Sequence, residues 1–116
     1  MSDYVLDYLE LPTASTAKSR DFFGKAFGWS FVDFGGSYTE VHDAGLLWGL
    51  NADTADHSTA PIPVIRAADI AAAEKAVVAA GGVITRKIYD FPGGKRFFFR
   101  EPGGSECAVY MTSEGP

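Results

Sequence analysis

The stretch YVLDYLELPTASTAKSRDFFGKAFG, residues 4–28, decides the fold because its hydrophobic period changes once along its length. Its first part alternates apolar and polar side chains like a half-buried strand, and Pro12 ends that pattern. The following residues repeat apolar side chains at helical spacing, with Thr13 or Ser15 as the N-cap and Gly28 just beyond the last turn. A strand followed directly by an amphipathic helix is therefore predicted.

Three short strands are predicted after this helix, separated by pairs of small turn residues. A polar, acidic linker then leads to a second half in which the same signals return in the same order, with Asp69 as the helix N-cap. Each turn in the first half is separated from the corresponding turn in the second half by an almost constant number of residues. The sequence therefore predicts two βαβββ modules, about 4–51 and 61–111. The remaining predicted strands are 29–34, 37–43 and 46–51 in the first module and 61–67, 83–89, 95–101 and 105–111 in the second.

Length and composition indicate one folded domain, residues 1–116, with 47% hydrophobic and 22% charged residues. The net charge of −5 and the lack of a basic patch argue against nucleic acid as a partner. No apolar run reaches the roughly 18 residues of a membrane-spanning helix. The N-terminus has no signal-peptide pattern and Cys107 is the single cysteine, so we expect a cytoplasmic protein that does not enter the membrane.

Each helix must cover an apolar face of its strands, which leaves the opposite face free of helices. That second face mixes aromatic and charged side chains, and a curled sheet with such a face forms a ligand cup. The expected fold is thus α+β, with two βαβββ modules forming a curled, cup-shaped mixed sheet and helices on its outer face. Alternation places these side chains on the helix-free face: Tyr8, Glu10, Glu40, His42, Trp48, Arg96, Phe98, Arg100 and Tyr110.

The segments YLELPTASTAKSRDFFGKAFGWSF, DIAAAEKAVVAAGGVI and KRFFFREPGGSECAVYM resemble the vicinal oxygen chelate superfamily. This superfamily includes glyoxalases, bleomycin-resistance proteins, fosfomycin-resistance proteins and extradiol dioxygenases. The resemblance spans about residues 4–111 and is closest to small bacterial glyoxalase-like proteins. It implies two paired βαβββ modules, a small-molecule ligand and a homodimer, with a cup built from one chain or from modules of two chains.

Metal enzymes of this family place four ligands in the first and last strands of the two modules. The resemblance maps these positions to Tyr8, Trp48, Ile62 and Ala108, with Gly49 as an alternative to Trp48. Divalent metals prefer imidazole, carboxylate or thiolate ligands, and these residues supply none of them. A phenol binds a metal only when it is deprotonated, and its ordinary pKa is about 10. We therefore expect no metal and no cofactor, and the resemblance does not imply glyoxalase activity.

Several functions remain compatible with the sequence. The first is metal-free binding of a small, aromatic or carbonyl-bearing molecule, in the manner of bleomycin-resistance proteins. The second is a metal-independent isomerase or lyase with Glu10 or His42 as the base. The third is a metal-dependent glyoxalase- or dioxygenase-type enzyme that uses those same two residues, and the fourth is a dimeric scaffold with a filled cup. The expected ligand-binding residues are Tyr8, Glu10, Trp48, Arg96, Phe98 and Tyr110.

The candidate binding residues also have structural interpretations. Glu10 could pair with Arg96 or Arg100 across the sheet. These arginines either hold an anionic or carbonyl group or lie in solvent or a dimer interface. Trp48 and Tyr8 either stack on a flat ligand or fill the cup themselves.

The remaining reactive side chains also have structural interpretations. His42 acts as an acid or base near neutral pH, or it is solvated at a strand end. His57 lies in the linker with Asp53 and Asp56, where a loop between modules explains the pattern better than a cation site. Cys107 is expected on the helix-covered face as a buried, inert thiol.

Overall fold

A computed structural model describes residues Asp3–Asp56 and Ser58–Ser113, and it has the α+β fold predicted from the sequence. Among these residues, neither helix has the length and apolarity that crossing a membrane requires. The order of elements is βαβββ twice, as predicted. In chain order the elements are β1 (Tyr4–Pro12), α1 (Thr16–Phe27), β2 (Ser30–Asp33), β3 (Tyr38–His42), β4 (Leu47–Asn51), β5 (Ile62–Ala67), α2 (Ile70–Ala79), β6 (Val83–Phe91), β7 (Gly94–Arg100) and β8 (Glu106–Thr112).

Both helices begin at the predicted capping residues. The Ser15 hydroxyl accepts a hydrogen bond from the Lys18 amide at 3.2 Å, so Ser15 rather than Thr13 is the N-cap of α1. Asp69 caps α2 in the same way. Gly28 follows α1 with a φ of 74°, a left-handed conformation that costs glycine little because it has no Cβ.

The chain divides into two compact units, and the division falls within β1. Unit 1 contains Met1–Asp7 and Pro63–Pro116, and unit 2 contains Tyr8–Ile62. In unit 2 the strand order is β2-β3-β4-β1, with β1 parallel to β4 and the other pairs antiparallel. In unit 1 the order is β5-β8-β7-β6, with β5 parallel to β8 and the other pairs antiparallel. Each unit therefore contains a mixed arrangement of strands covered by one helix.

The core of unit 2 forms between α1 and the strands behind it. Val41, Trp48 and Leu50 are buried together, and Phe23 of α1 packs against them. The Phe23 ring centroid lies 5.1 Å from that of Trp48 and 5.7 Å from that of Trp29. This aromatic packing fixes which face of β4 the helix covers.

The core of unit 1 forms between α2 and strands β5, β7 and β8. Ile70 and Ala73 of α2 are buried with Phe97, Phe99 and Val109. The predicted facing of β7 and β8 is confirmed, because these aromatic and aliphatic side chains lie on the helix-covered side. The partly buried thiol of Cys107 packs against the same cluster, also as predicted.

The prediction of which β4 side chains lie on the helix-free face is wrong. Trp48 was expected on the helix-free face, but it is only 8% exposed and lies beneath α1 with Leu50. Trp48 and Leu50 are covered because α1 packs against this side of the strand, with the Phe23 ring on Trp48. Gly49 consequently takes the helix-free face, where Trp48 was predicted.

Replacing Phe97 with alanine tests the core of unit 1. Phe97 is 0% exposed, so Phe97→Ala should lower the free energy of unfolding by about 3–5 kcal/mol. The matched control is Phe22→Ala, since Phe22 is 60% exposed on α1, and it should lose less than about 1 kcal/mol. Urea denaturation measures both values, and equal losses would contradict this assignment of the core.

Candidate functional site

The helix-free face of unit 2 is organised around Gly49. In the strand register Glu10 of β1 lies beside Gly49 of β4, and Gly49 lies beside Glu40 of β3. The hydroxyl groups of Tyr8 and Tyr38 meet in a short hydrogen bond over this glycine. A Cβ at position 49 would overlap both phenol groups, so the missing side chain is what allows the two tyrosines to meet.

The carboxylate of Glu10 lies inside the same polar network. Glu10 is only 5% exposed. The Tyr38 hydroxyl donates to its Oε1 at 3.3 Å, and the Asn51 side-chain amide donates to its Oε2 at 3.5 Å. Asn51 is oriented for this role because its Oδ1 accepts a hydrogen bond from the Asp53 amide at 2.9 Å. These donors offset part of the cost of removing the carboxylate from water.

His42 occupies the end of the same face of β3. Its Nε2 lies 2.9 Å from Oε1 of Glu40, two residues earlier on the strand. The imidazole is therefore oriented by a carboxylate, an arrangement that suits acid–base chemistry and equally suits a surface ion pair.

On the helix-free face of unit 1, four polar or aromatic residues form one row across four strands. Arg66, Tyr110, Arg96 and Tyr89 are successive register partners on β5, β8, β7 and β6. Asp7 interacts with two of them. The Tyr110 hydroxyl donates to its two carboxylate oxygens at 3.0 and 3.1 Å, and the Arg66 Nε lies 3.3 Å from Oδ2.

Arg96 is held in an aromatic cage. The residue is 7% exposed, and its Nε donates a hydrogen bond to the Tyr89 hydroxyl. Its Cζ lies 5.5, 5.4 and 5.3 Å from the ring centroids of Tyr89, Phe91 and Phe98. Aromatic faces attract a guanidinium and fix its plane. The predicted residues Arg96, Phe98 and Tyr110 therefore share one face of unit 1.

Several residues of these networks were not predicted as site residues. Tyr38 was not predicted as a site residue, although its spacing of two residues from Glu40 places it on the same face of β3. Asn51 was missed because an amide at the end of a strand looks like an ordinary turn residue. Asp7 was missed because, in the middle of β1, it only interrupts the apolar side of the alternation. Tyr89 was missed because no face was predicted for the residues of its strand, although alternation from Ile84 and Ile88, which pack on the core, places it on the helix-free face.

The positions that correspond to metal ligands do not fit a divalent metal. The predicted ligand position of β4 falls on Trp48, which lies in the core, or on Gly49, whose space the two tyrosines occupy. Ile62 and Ala108 are buried and apolar. Within Asp3–Asp56 and Ser58–Ser113, no group of three or more His, Cys, Asp or Glu side chains is arranged to hold a metal ion. His57, the linker histidine, lies outside these described residues.

Two further polar groups have structural roles. Burial raises the pKa of the Cys107 thiol, and the negative charges of Glu101 and Glu106 raise it further. The thiol therefore stays protonated near neutral pH, which makes it a poor nucleophile. The exposed Arg100 donates to the Gly104 carbonyl at 2.8 Å, so it stabilises the β7–β8 turn.

A protein-family model of the Glyoxalase/Bleomycin resistance protein/Dioxygenase superfamily matches residues 5–109. The chain therefore belongs to this superfamily, as its motifs indicated. No curated protein sequence shows a significant match.

Solved structures of similar fold support the same architecture. An NAD-dependent benzaldehyde dehydrogenase from Legionella pneumophila matches with a TM-score of 0.79 and 10% identity, over 92% of this chain and 99% of that one. Methylmalonyl-CoA epimerase from Mycobacterium tuberculosis matches with a TM-score of 0.70 and 11% identity, over 93% and 87%. A superfamily member from Vibrio splendidus matches with a TM-score of 0.66 and 14% identity, over 90% and 96%. At these identities the similarity establishes the fold alone.

Gly49→Ala tests the tyrosine contact. The added methyl group must displace one or both phenol rings, so the free energy of unfolding should fall by about 1–3 kcal/mol. Gly36→Ala is the matched control, because a Cβ there meets nothing within 4 Å. Urea denaturation of both variants measures the difference, and a Gly49→Ala protein as stable as the control would show that the tyrosines do not meet there.

Proposed function

We propose that this superfamily member binds a small carbonyl-bearing molecule, without a metal, on the helix-free face of unit 2. The proposal rests on one observation, the meeting of the Tyr8 and Tyr38 hydroxyls over Gly49 beside the buried Glu10. This arrangement puts two phenol groups at a position where metal enzymes of the family would need a ligand. Hydrogen-bond donors would then polarise a carbonyl group in place of a metal ion.

Phenol hydroxyls suit a carbonyl ligand because each carries a proton that rotates to meet an acceptor. A ligand carbonyl that accepts from Tyr8 replaces one oxygen–oxygen hydrogen bond with another, so the exchange itself costs little free energy. Tyr38 stays oriented by Glu10, which accepts from its hydroxyl. The apolar part of the ligand would lie against the rings of Tyr8 and Tyr38.

Binding of acetophenone, an aromatic ketone, tests this proposal by ligand-observed NMR titration. We expect saturable binding that an excess of EDTA leaves unchanged, and much weaker binding of ethylbenzene, which lacks the carbonyl. Loss of one uncharged hydrogen bond to the ligand in Tyr8→Phe should weaken binding about three- to tenfold.

Tyr4→Phe is the matched control, since Tyr4 lies at the exposed start of β1 in unit 1, outside the network of unit 2. Its affinity for acetophenone should equal that of the unmodified protein. Binding that disappears with EDTA, or that is unchanged in Tyr8→Phe, would refute the metal-free carbonyl site.

The burial of Glu10 beside two phenols favours a second candidate, a metal-independent isomerase or lyase. The Glu10 carboxylate would remove a proton from the carbon next to the ligand carbonyl. The electron pair of that C–H bond would form a carbon–carbon double bond while the carbonyl π pair moves to the oxygen, where Tyr8 stabilises the enolate. His42, paired with Glu40, is the alternative base.

Hydrogen–deuterium exchange of the acetophenone methyl group separates the enzyme from the binding protein. An enzyme should accelerate exchange in deuterated water, and Glu10→Gln should abolish that exchange while binding persists. His42→Ala shows whether His42 is the base instead. Exchange no faster than in buffer would leave binding without proton transfer as the function.

A further inference from the structure

We propose that the outer strand of unit 2 carries an apolar subsite, formed by Val32 and Phe34, that binds a hydrophobic substituent of the carbonyl ligand. The ligand is then an uncharged aromatic ketone whose ring bears an alkyl or aryl group. This inference rests on the proposed carbonyl site, since it extends that site from β4 across β3 to β2.

The strand register places Val32 in the same row as the tyrosine contact. In unit 2, β2 is the outermost strand of the order β2-β3-β4-β1. Val32 lies opposite Glu40 of β3, and Glu40 lies opposite Gly49 of β4. The hydroxyls of Tyr8 and Tyr38 meet over this glycine. Val32 therefore lies two strands away from the contact of the two phenols.

Phe34 lies in the next row, beside Tyr38. The Phe34 amide donates to the Tyr38 carbonyl at 2.8 Å, so the pairing of β2 with β3 continues one residue beyond Asp33. Alternation assigns Val32 and Phe34 to the helix-free face, because Phe31 packs on the core beneath α1. Side chains opposite each other on adjacent strands have Cβ atoms about 5 Å apart, so Phe34 is an immediate neighbour of Tyr38.

Both apolar side chains are accessible to a ligand. Val32 is 43% exposed and Phe34 is 57% exposed. They are uncovered because the Tyr38 hydroxyl lies over Gly49 of β4, so the Tyr38 ring leans away from β2. Small-molecule sites typically combine apolar surface with a few polar groups that fix the orientation of the ligand. Val32 and Phe34 supply that apolar surface beside the polar network.

The distance across the strands determines the length of the ligand. Gly49 and Val32 are separated by two strand spacings, which is about 9.5 Å. A benzene ring whose carbonyl group lies at Tyr8 covers only part of this distance and lies against Tyr38. A substituent at the para position, opposite the carbonyl group, continues in the same direction and reaches Val32 and Phe34.

The charge of this face disfavours an acidic substituent. The carboxylates of Glu10 and Glu40 lie on this face on either side of Gly49, and Oε1 of Glu40 pairs with the His42 imidazole at 2.9 Å. A carboxylate on the ligand would be repelled by both glutamates. The side chains of Val32 and Phe34 also offer it no hydrogen bond. A hydrocarbon substituent is therefore the group that fits.

Comparison of 4-butylacetophenone with acetophenone by ligand-observed NMR titration tests the subsite. Complete burial of one methylene group strengthens binding about fourfold. A butyl group on an open face is buried only in part, so we expect 4-butylacetophenone to bind at least about tenfold more tightly than acetophenone. The 4-acetylbenzoate anion should bind no more tightly than acetophenone.

Substitutions of Phe34 test which residue provides the added affinity. Phe34→Ala should reduce the ratio of the two ketone affinities to about threefold or less, and Phe34→Leu should keep most of it because leucine is also apolar. Phe22→Ala is the matched control, since Phe22 is a similarly exposed phenylalanine of unit 2 on α1. It should leave the ratio unchanged. Melting temperatures establish that each variant is folded.

Equal affinities for the two ketones, or a folded Phe34→Ala protein with the ratio of the unmodified chain, would overturn the proposal. Binding of 4-acetylbenzoate as tight as that of 4-butylacetophenone would overturn it as well, because the subsite would then not select a hydrocarbon.

Tyr8→Phe separates this inference from the carbonyl site, since it should weaken both ketones by the same factor. If acetophenone binding depends on Tyr8 and the butyl group adds nothing, only the subsite is wrong. If 4-butylacetophenone binding depends on Phe34 but not on Tyr8, the carbonyl site is wrong and the apolar subsite stands. If neither ketone binds, both are wrong.

Discussion

The structure depends on one constraint, the burial of a single apolar face of the strands in each unit by a single short helix. Removal of this apolar surface from water is the main force that holds helix and strands together. In unit 1 the constraint puts Phe97 and Phe99 beneath α2, and in unit 2 it puts Trp48 and Leu50 beneath α1. Because side chains alternate along a strand, each buried position also determines which residues lie on the opposite face.

On the opposite face, charged side chains that are largely buried from solvent have to be stabilised. Glu10 accepts hydrogen bonds from Tyr38 and Asn51 in unit 2, and Arg96 lies against aromatic rings in unit 1. Either group without such neighbours would be destabilising, since a buried charge that lacks hydrogen bonds or π contacts costs several kcal/mol. The same neighbours fix the orientation of these groups, so the features that make burial tolerable also prepare them to bind a ligand.

The elements and their order could be predicted from the sequence because they depend on local signals. Apolar periodicity located the strands and helices, and Ser15, Asp69 and Gly28 marked the helix ends as capping chemistry requires. The facing of β4 could not be predicted, because a five-residue strand of mostly apolar residues has no clear alternation. Tertiary packing determines which side of β4 is buried, because α1 places the Phe23 ring against Trp48. The position of Arg86 was also beyond a period-two rule, since a register shift on each side of it puts its side chain on the same face as that of Tyr89, three residues later.

Gly49 connects the packing of the strands to the chemistry of the helix-free face. A side chain able to bind a metal at this position would project into the space of the Tyr8 and Tyr38 hydroxyls, so a metal ligand and the tyrosine pair exclude each other. A glycine in place of a metal ligand at this point would therefore do more than remove one donor. It opens the space in which two phenols meet, and it leaves Glu10 with a phenol as its neighbour. Since phenols donate hydrogen bonds where a metal accepts electron pairs, the same face is suited to carbonyl oxygen by a different physical interaction.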